Sequence, residues 1–273
     1  MVYRSNPVFS PRPWGDPWLN SLFGVNTDPP IGEVWLLSGL KDHESNFLDL
    51  EGKAVDLTEV TEATGLDLPR FPLLIKLIST TDWLSVQVHP DDELAVKLEG
   101  EPWGKNEGWY FLSDGVVALG SVNAEELRNA LEAGNLERIM KKINVSKGDF
   151  LYLPAGTLHA LGPGTKLIEI QQTSDLTYRV FDWGRPRPLH IEKALLAVKP
   201  VTAQPQKAGR IVSTPYFSIE MPTGNSVDIE GFAVVINGDY STYVVPQRER
   251  FTFDSPWMVI RLGRWWFERF GQK

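Results

Sequence analysis

Cysteine is absent from this 273-residue chain. Its absence excludes disulfides, thiolate zinc sites and cysteine nucleophiles, so a bound metal would need histidine, carboxylate or amide ligands. Long apolar runs are absent as well. The longest covers about residues 71–78 and is interrupted by Lys76, whereas a membrane span needs roughly 20 apolar residues. We therefore expect no membrane partner.

Positive charge is also scarce, because 27 Lys and Arg residues face 35 Asp and Glu residues, for a net charge of −8. A nucleic-acid binder needs a basic surface, so we expect no nucleic-acid partner. An anionic substrate would have to be met by local cations against the overall field. Residues 1–7 contain no apolar signal core, and we expect a cytoplasmic location. The sequence gives no oligomeric state.

Short apolar segments separated by turn residues recur along the chain and predict an all-β barrel or jelly roll. Residues 121–143 differ, because their apolar positions follow helical spacing with a break at Gly134-Asn135. They predict a helical insertion in the β protein. A polar segment with two prolines, residues 199–209, resembles a linker. We therefore predict a first domain over residues 1–200 and a smaller C-terminal β domain over residues 201–273.

The segment 83–90 reads as a strand, in which alternate side chains share a face. Three polar side chains would point one way and three apolar ones the other: Ser85, Gln87 and His89 against Leu84, Val86 and Val88. The polar face either lines a cavity or is an exposed sheet surface.

Two further segments carry polar residues that could join this face. Lys105 and Glu107 are two apart and can point the same way, although this segment taken alone favours a solvated salt-bridged loop. His159 follows a Pro-Ala-Gly-Thr turn with the spacing Gly-x5-Pro-x-Gly-x2-His, which is that of the second cupin signature. A lone buried histidine is more often structural than a ligand, and the chain departs from the signature at Pro163, where a typical cupin has Asn.

Together these segments offer two imidazole nitrogens and two oxygens from Gln87, His89, Glu107 and His159. That set suits zinc and is acceptable to manganese, cobalt or iron. A later segment places Glu169 opposite apolar neighbours and is followed by Arg179 and Arg185. Arginine forks bind phosphate oxygens in pairs. The alternative for these arginines is surface salt bridging with Asp175 and Asp182.

Four ordered strings carry a family resemblance: QVHPDDELA, GKNEGWYFL, YLPAGTLHAL and IEIQQTSDLTYRVFDWGR. They resemble type I mannose-6-phosphate isomerases, particularly the short bacterial form. The resemblance covers roughly residues 8–200 and is weak beyond the linker. Gly108 stands where bacterial members often have Cys, at a position without proposed chemistry.

The resemblance implies a metal-binding cupin fold, commonly with zinc, and a bicupin-like arrangement with the C-terminal β domain. The family's metal ligands fall on Gln87, His89, Glu107 and His159. Its active-site lysine, later acidic residue and essential arginine fall on Lys105, Glu169 and Arg179, and its substrate-phosphate contacts fall on Ser85 and Arg185. Lys76 also matches a family lysine, without a role.

The activity implied is the interconversion of mannose 6-phosphate and fructose 6-phosphate through an enediol. Glu169 is the candidate base for the proton transfer, and Lys105 or a water at the metal are the alternatives. Two other functions remain open at this point. They are another metal-cupin enzyme, such as a dioxygenase or an epimerase, and a non-catalytic cupin that binds a sugar phosphate.

Overall fold

A computed structural model describes residues 1–224, 226–254 and 256–271. Strands dominate this part of the chain, so the mostly β architecture predicted from the sequence is confirmed. The strands are β1 Tyr3–Asn6, β2 Val8–Pro11, β3 Ile31–Leu37, β4 Asn46–Leu48, β5 Ala54–Val55, β6 Leu73–Ser79, β7 Val86–Val88, β8 Glu107–Phe111, β9 Gly115–Gly120, β10 Lys141–Val145, β11 Asp149–Leu153, β12 Leu158–Leu161, β13 Lys166–Gln172, β14 Tyr178–Phe181, β15 Gln206–Lys207, β16 Ile211–Ser213, β17 Phe217–Glu220, β18 Ser226–Glu230, β19 Ala233–Asn237, β20 Thr242–Val245, β21 Arg250–Asp254 and β22 Pro256–Leu262.

Helices are short. They are α1 Pro17–Phe23, α2 Leu57–Glu62, α3 Asp92–Glu99, α4 Ala124–Glu132, α5 Ile191–Ala197 and α6 Arg264–Phe270. Among the residues described, none of these helices has the length and apolarity that crossing a membrane requires.

The chain groups into two compact units, each built from discontinuous segments. One contains Met1–Val8, Trp35–Ile75 and the described part of Ala208–Lys273, and the other contains Phe9–Val34 and Lys76–Lys207. N-terminal segments therefore group with the C-terminal strands, which a division at residue 200 does not anticipate. The domains 1–200 and 201–273 stay a prediction, because compactness is not independent folding.

In the unit that contains Lys76–Lys207, a five-stranded sheet of order β10-β9-β12-β7-β14 packs onto strands of a seven-stranded sheet of order β15-β11-β8-β13-β6-β3-β2. One buried apolar cluster joins their inner faces. It includes Trp109 and Leu151 from the larger sheet and Leu119 and Leu161 from the smaller one. Burial of these faces is the main source of stability for such a sandwich.

The outer face of the five-stranded sheet is covered by helices. Val86 and Val88 of β7 pack there with residues of α4 and α5, as their predicted apolar face requires. Leu84 differs, because it packs on the inner cluster. Alternation holds only within a strand, and β7 begins at Val86.

The helical insertion is confirmed over α4, which a capping box begins. The Asn123 side chain accepts from the backbone N–H of Glu126, and the Glu126 carboxylate accepts from that of Asn123. Helix does not continue to residue 143. A single 3-10 turn covers Leu136–Arg138, and β10 then starts at Lys141. Its pairing with β9 overrides the weak helical spacing of the segment.

The other unit contains an eight-stranded sheet of order β16-β17-β22-β19-β20-β1-β4-β5 and a separate two-stranded antiparallel sheet of β18 with β21. Its β19, Ala233–Asn237, is almost wholly buried and lies between β20 and β22, which explains the apolar run at this position. The short strands predicted beyond the linker are thus present.

Candidate active site

Three side chains that are far apart in the sequence meet in the interior of the sandwich. His89 follows β7, Glu107 begins β8 and His159 lies in β12, and each is at most 2% exposed. Glu107 Oε2 lies 3.4 Å from His89 Nε2, and Glu107 Oε1 lies 3.2 Å from His159 Nε2. One potential ligand atom from each residue lies within 4.8 Å of the others. The structure therefore brings three of the four predicted ligands together.

Backbone carbonyls orient both imidazoles. His89 Nδ1 lies 2.7 Å from the Leu176 carbonyl oxygen, and His159 Nδ1 lies 2.9 Å from that of Thr157. A carbonyl can only accept, so each Nδ1 donates and each Nε2 of the neutral ring carries a lone pair. Burial and the nearby Lys105 cation lower the pKa of His89 to about 3, which keeps this ring neutral near pH 7. Metal-bound histidines are held in this way.

Each of these lone pairs faces a Glu107 carboxylate oxygen, which is itself an acceptor. In the part of the chain that the structure describes, His89 Nε2 and Glu107 Oε1 are buried and make no hydrogen bond, while Glu107 Oε2 is ion-paired with Lys105 Nζ. Unpartnered buried acceptors are costly. Two imidazole nitrogens and a carboxylate that converge within metal-ligand range suit a divalent cation such as zinc. The residues present therefore fit a metal.

Gln87 lies beside this cluster. It is the direct cross-strand partner of His159, and its amide Nε2 lies 3.3 Å from His159 Nε2. The Ser85 hydroxyl donates to its Oε1 at 3.0 Å. Turning the amide over would direct the oxygen toward His159 and leave the nitrogen to donate to Ser85, since a hydroxyl also accepts. Gln87 is thus placed at the edge of the cluster, and its role as fourth ligand stays a prediction.

Lys105 brings a positive charge into the same space. Its Nζ lies 3.0 Å from Glu107 Oε2, and its side chain is 5% exposed. Gly104 allows this placement, because a Cβ there would lie 2.4 Å from the Pro90 carbonyl oxygen, which accepts from the Lys105 backbone N–H at 3.1 Å. Burial raises the pKa of Glu107, but the Lys105 cation is the largest opposing influence and the pKa lies well below its usual value.

Glu169 lies on β13, where it is 4% exposed. It is the cross-strand partner of Trp109, whose indole N–H donates to Glu169 Oε2 at 2.9 Å. Lys76 Nζ lies 3.1 Å from Glu169 Oε1 and 3.8 Å from Glu33 Oε2. Burial alone would lower the pKa of Lys76. The charges of the two carboxylates raise it by more, so the pKa lies above its ordinary value. Lys76 therefore stays charged inside the sandwich.

The two arginines predicted for the site, Arg179 and Arg185, have different surroundings. Arg179 is paired with Gln87 across β14 and β7. It donates through Nη1 to the Pro188 carbonyl, while its buried Nε makes no hydrogen bond among the residues described. Arg185 is instead held by Asp182 at 3.0 Å and by the Trp83 carbonyl at 2.7 Å. Its predicted phosphate contact remains a prediction, and the alternative pairing with Asp182 is the contact present.

Sequence reasoning missed Trp109 and left Lys76 without a role. Trp109 continues the alternation of Lys105 and Glu107, so a strand face extended by one more position would have included it. Lys76 had one local signal, which is a cation inside an otherwise apolar run. Such a residue needs a buried partner, but nothing in the sequence identifies Glu169 and Glu33.

Comparisons with known proteins indicate the same family as the sequence motifs do. Residues 16–106 match the family described as phosphomannose isomerase type I, catalytic domain. The chain is 40% identical over 206 residues to the probable mannose-6-phosphate isomerase GmuF of Bacillus subtilis. This alignment covers 69% of this chain and 65% of that protein. It is 38% identical over 233 residues to the mannose-6-phosphate isomerase of Streptococcus mutans, in an alignment that covers 76% of this chain and 73% of that protein. The matches thus span about two thirds of the length of these relatives.

Solved structures support the fold. The mannose 6-phosphate isomerase of Bacillus subtilis superposes with a TM-score of 0.80 at 29% identity, covering 95% of this chain and 98% of that one. A zinc-bound mannose 6-phosphate isomerase superposes with a TM-score of 0.69 at 16% identity, covering 96% and 99%, and this likeness concerns the fold alone. Given the identity and coverage of its relatives, the chain belongs to the type I phosphomannose isomerase family.

Proposed function

We propose that the chain is a metal-dependent aldose–ketose isomerase that interconverts mannose 6-phosphate and fructose 6-phosphate. The observation that carries the proposal is the buried meeting of His89, Glu107 and His159 with the Lys105 cation. Two relatives at 40% and 38% identity are named as mannose-6-phosphate isomerases. The substrate and the cytoplasmic location expected from the sequence belong to this proposal.

Zinc would be held by His89, Glu107 and His159, with Gln87 as the fourth ligand. Two nitrogens and two oxygens suit zinc, and the solved zinc-bound neighbour is consistent with this choice. When bound, the ion supplies Lewis acidity toward the oxygens of the substrate.

The remaining chemistry is assigned to the chain's own residues. Isomerisation moves a proton between C1 and C2 of the sugar through an enediol, so one base must accept the proton and return it. Glu169 is suited to this because it is a buried carboxylate, held by the Trp109 indole N–H on Oε2 and ion-paired with Lys76 through Oε1. Lys105 would stabilise the negative charge that develops on the sugar oxygens.

Arg179 would bind the phosphate group of the substrate. Its guanidinium has an unused buried Nε, and no carboxylate of the described chain lies within ion-pair distance of it. A phosphate held in place would keep C1 and C2 of the sugar close to the base. This orientation would lower the activation barrier of the proton transfer. Ser85 and Arg185 remain proposed as further contacts to the phosphate.

A coupled assay of fructose 6-phosphate formation tests the proposal. We expect turnover of mannose 6-phosphate that disappears after chelation and returns when zinc is added. Binding of the sugar phosphate without turnover would instead indicate a non-catalytic cupin. Dioxygen consumption, or epimerisation without ketose formation, would indicate a different metal-dependent enzyme. Either result would contradict the isomerase proposal.

A further inference from the structure

Trp109 contacts both the proposed base, Glu169, and a proposed metal ligand, His159. Its indole N–H donates to Glu169 Oε2 at 2.9 Å, and its ring packs edge-on against the His159 imidazole, with centroids 5.5 Å apart and planes at 79°. The side chain is 2% exposed. A large ring in the core needs no special explanation, but an indole N–H aimed at a buried carboxylate is a specific contact.

This contact makes the two oxygens of Glu169 different. Oε2 accepts the indole N–H, whereas Oε1 is ion-paired with Lys76 Nζ at 3.1 Å. A carboxylate held by a donor on one oxygen and an ion pair on the other cannot rotate freely about its last bond. Because the indole N–H occupies Oε2, proton exchange is left to Oε1, the oxygen beside Lys76 Nζ.

We propose that Trp109 is a positioning residue, which fixes Glu169 so that Oε1 exchanges the proton with the substrate. This rests on the proposed isomerase function. A neutral donor on Oε2 adds no charge that competes with Lys76 for the carboxylate. The bond is charge-assisted and shielded from water, and such bonds are stronger than neutral ones.

Trp109→Phe tests the inference, because it keeps a buried aromatic ring and removes the N–H. We expect kcat to fall about tenfold to a hundredfold, the range of a lost hydrogen bond to a charged group. The KM for mannose 6-phosphate and the zinc content should stay within about twofold of wild type, since the inference gives Trp109 no part in either.

A second replacement removes the donor without changing the shape of the side chain. With β-(3-benzothienyl)alanine at position 109, sulfur takes the place of the indole N–H. We expect the same loss of kcat with an unchanged unfolding temperature. This variant covers the case in which Trp109→Phe folds poorly.

The matched control is Trp266→Phe. Trp266 is also fully buried, and its indole N–H donates to the backbone carbonyl of Tyr216 at 2.8 Å, not to a carboxylate. It should lose stability and keep its kcat. Unchanged kcat in both Trp109 variants, or loss of zinc together with activity, would overturn the inference. A wild-type protein without mannose 6-phosphate turnover would overturn the proposed function itself, and the two failures are therefore distinguishable.

Discussion

Lys105 and Glu107 are two residues apart and form a buried ion pair, with Lys105 Nζ 3.0 Å from Glu107 Oε2. The lysine thus neutralises a proposed metal ligand and adds a cation next to it. If its main task is to stabilise charge that develops during the reaction, it should matter more for kcat than for metal binding.

Lys105→Met tests this division. We expect kcat to fall about 10²- to 10³-fold, as for the loss of one donor to a developing oxyanion, while zinc is retained. Zinc analysis and steady-state kinetics measure the two effects. Lys193→Met is the control, because Lys193 pairs with Glu99 at a partly exposed position and should keep wild-type kinetics. A Lys105 variant with wild-type kcat would remove the residue from the reaction.

Glu107→Gln should abolish zinc retention and activity together. The amide keeps the size of the side chain but removes the only negative charge among the three clustered residues. Zinc per chain, measured by elemental mass spectrometry after dialysis, should fall from about one to near zero. Glu99→Gln, which breaks the Lys193 ion pair instead, should retain the metal. Stoichiometric zinc in Glu107→Gln would argue against Glu107 as a ligand.

Arg179→Ala should lose activity while keeping the metal. The residue is the cross-strand partner of Gln87 and is assigned to the phosphate, so we expect a higher KM or a lost response to mannose 6-phosphate, with unchanged zinc content. Arg250→Ala, on the two-stranded sheet of β18 and β21 where the exposed arginine pairs with Asp228, is the control. Equal activity of Arg179→Ala and wild type would exclude the arginine from the site.

The metal-free protein should become less stable on acidification. His89 has a pKa of about 3 in the folded state, against 6.5 for the free side chain. Between these values the unfolded chain binds one more proton than the folded chain, so the free energy of unfolding falls as pH falls, by about 1.4 kcal/mol per pH unit for this group. Glu107 acts in the same direction below its ordinary value of 4.5.

Urea unfolding of chelator-treated protein between pH 7 and pH 4 measures this slope. His89→Gln should flatten it, whereas the control His43→Gln, which alters an exposed histidine, should not. The same slope in wild type and His89→Gln would assign the pH dependence to other groups.

Much of the site was predictable because local rules and chain topology agree. Period-two alternation placed Gln87 on the face opposite Val86 and Val88, and the structure confirms this for the apolar pair. The turn before His159 was recognisable from Pro154 and Gly156, and Gly156 has a φ of +93° that only glycine adopts readily.

Other features depended on long-range pairing that no local pattern contains. Residues 141–143 follow the helical spacing of the preceding segment, yet they pair with β9. Lys76 pairs with Glu33 and Glu169, which are 43 and 93 residues away in the sequence. Spacing along one strand gives faces, whereas the register between strands decides which faces meet.

The most direct test is a crystal structure of zinc-loaded protein with anomalous diffraction at the zinc edge. We expect one strong peak among the three clustered side chains, about 2.0–2.2 Å from His89 Nε2, His159 Nε2 and a Glu107 oxygen, with the amide oxygen of Gln87 turned toward it. A peak elsewhere, or none at these residues in protein that turns over mannose 6-phosphate, would contradict it.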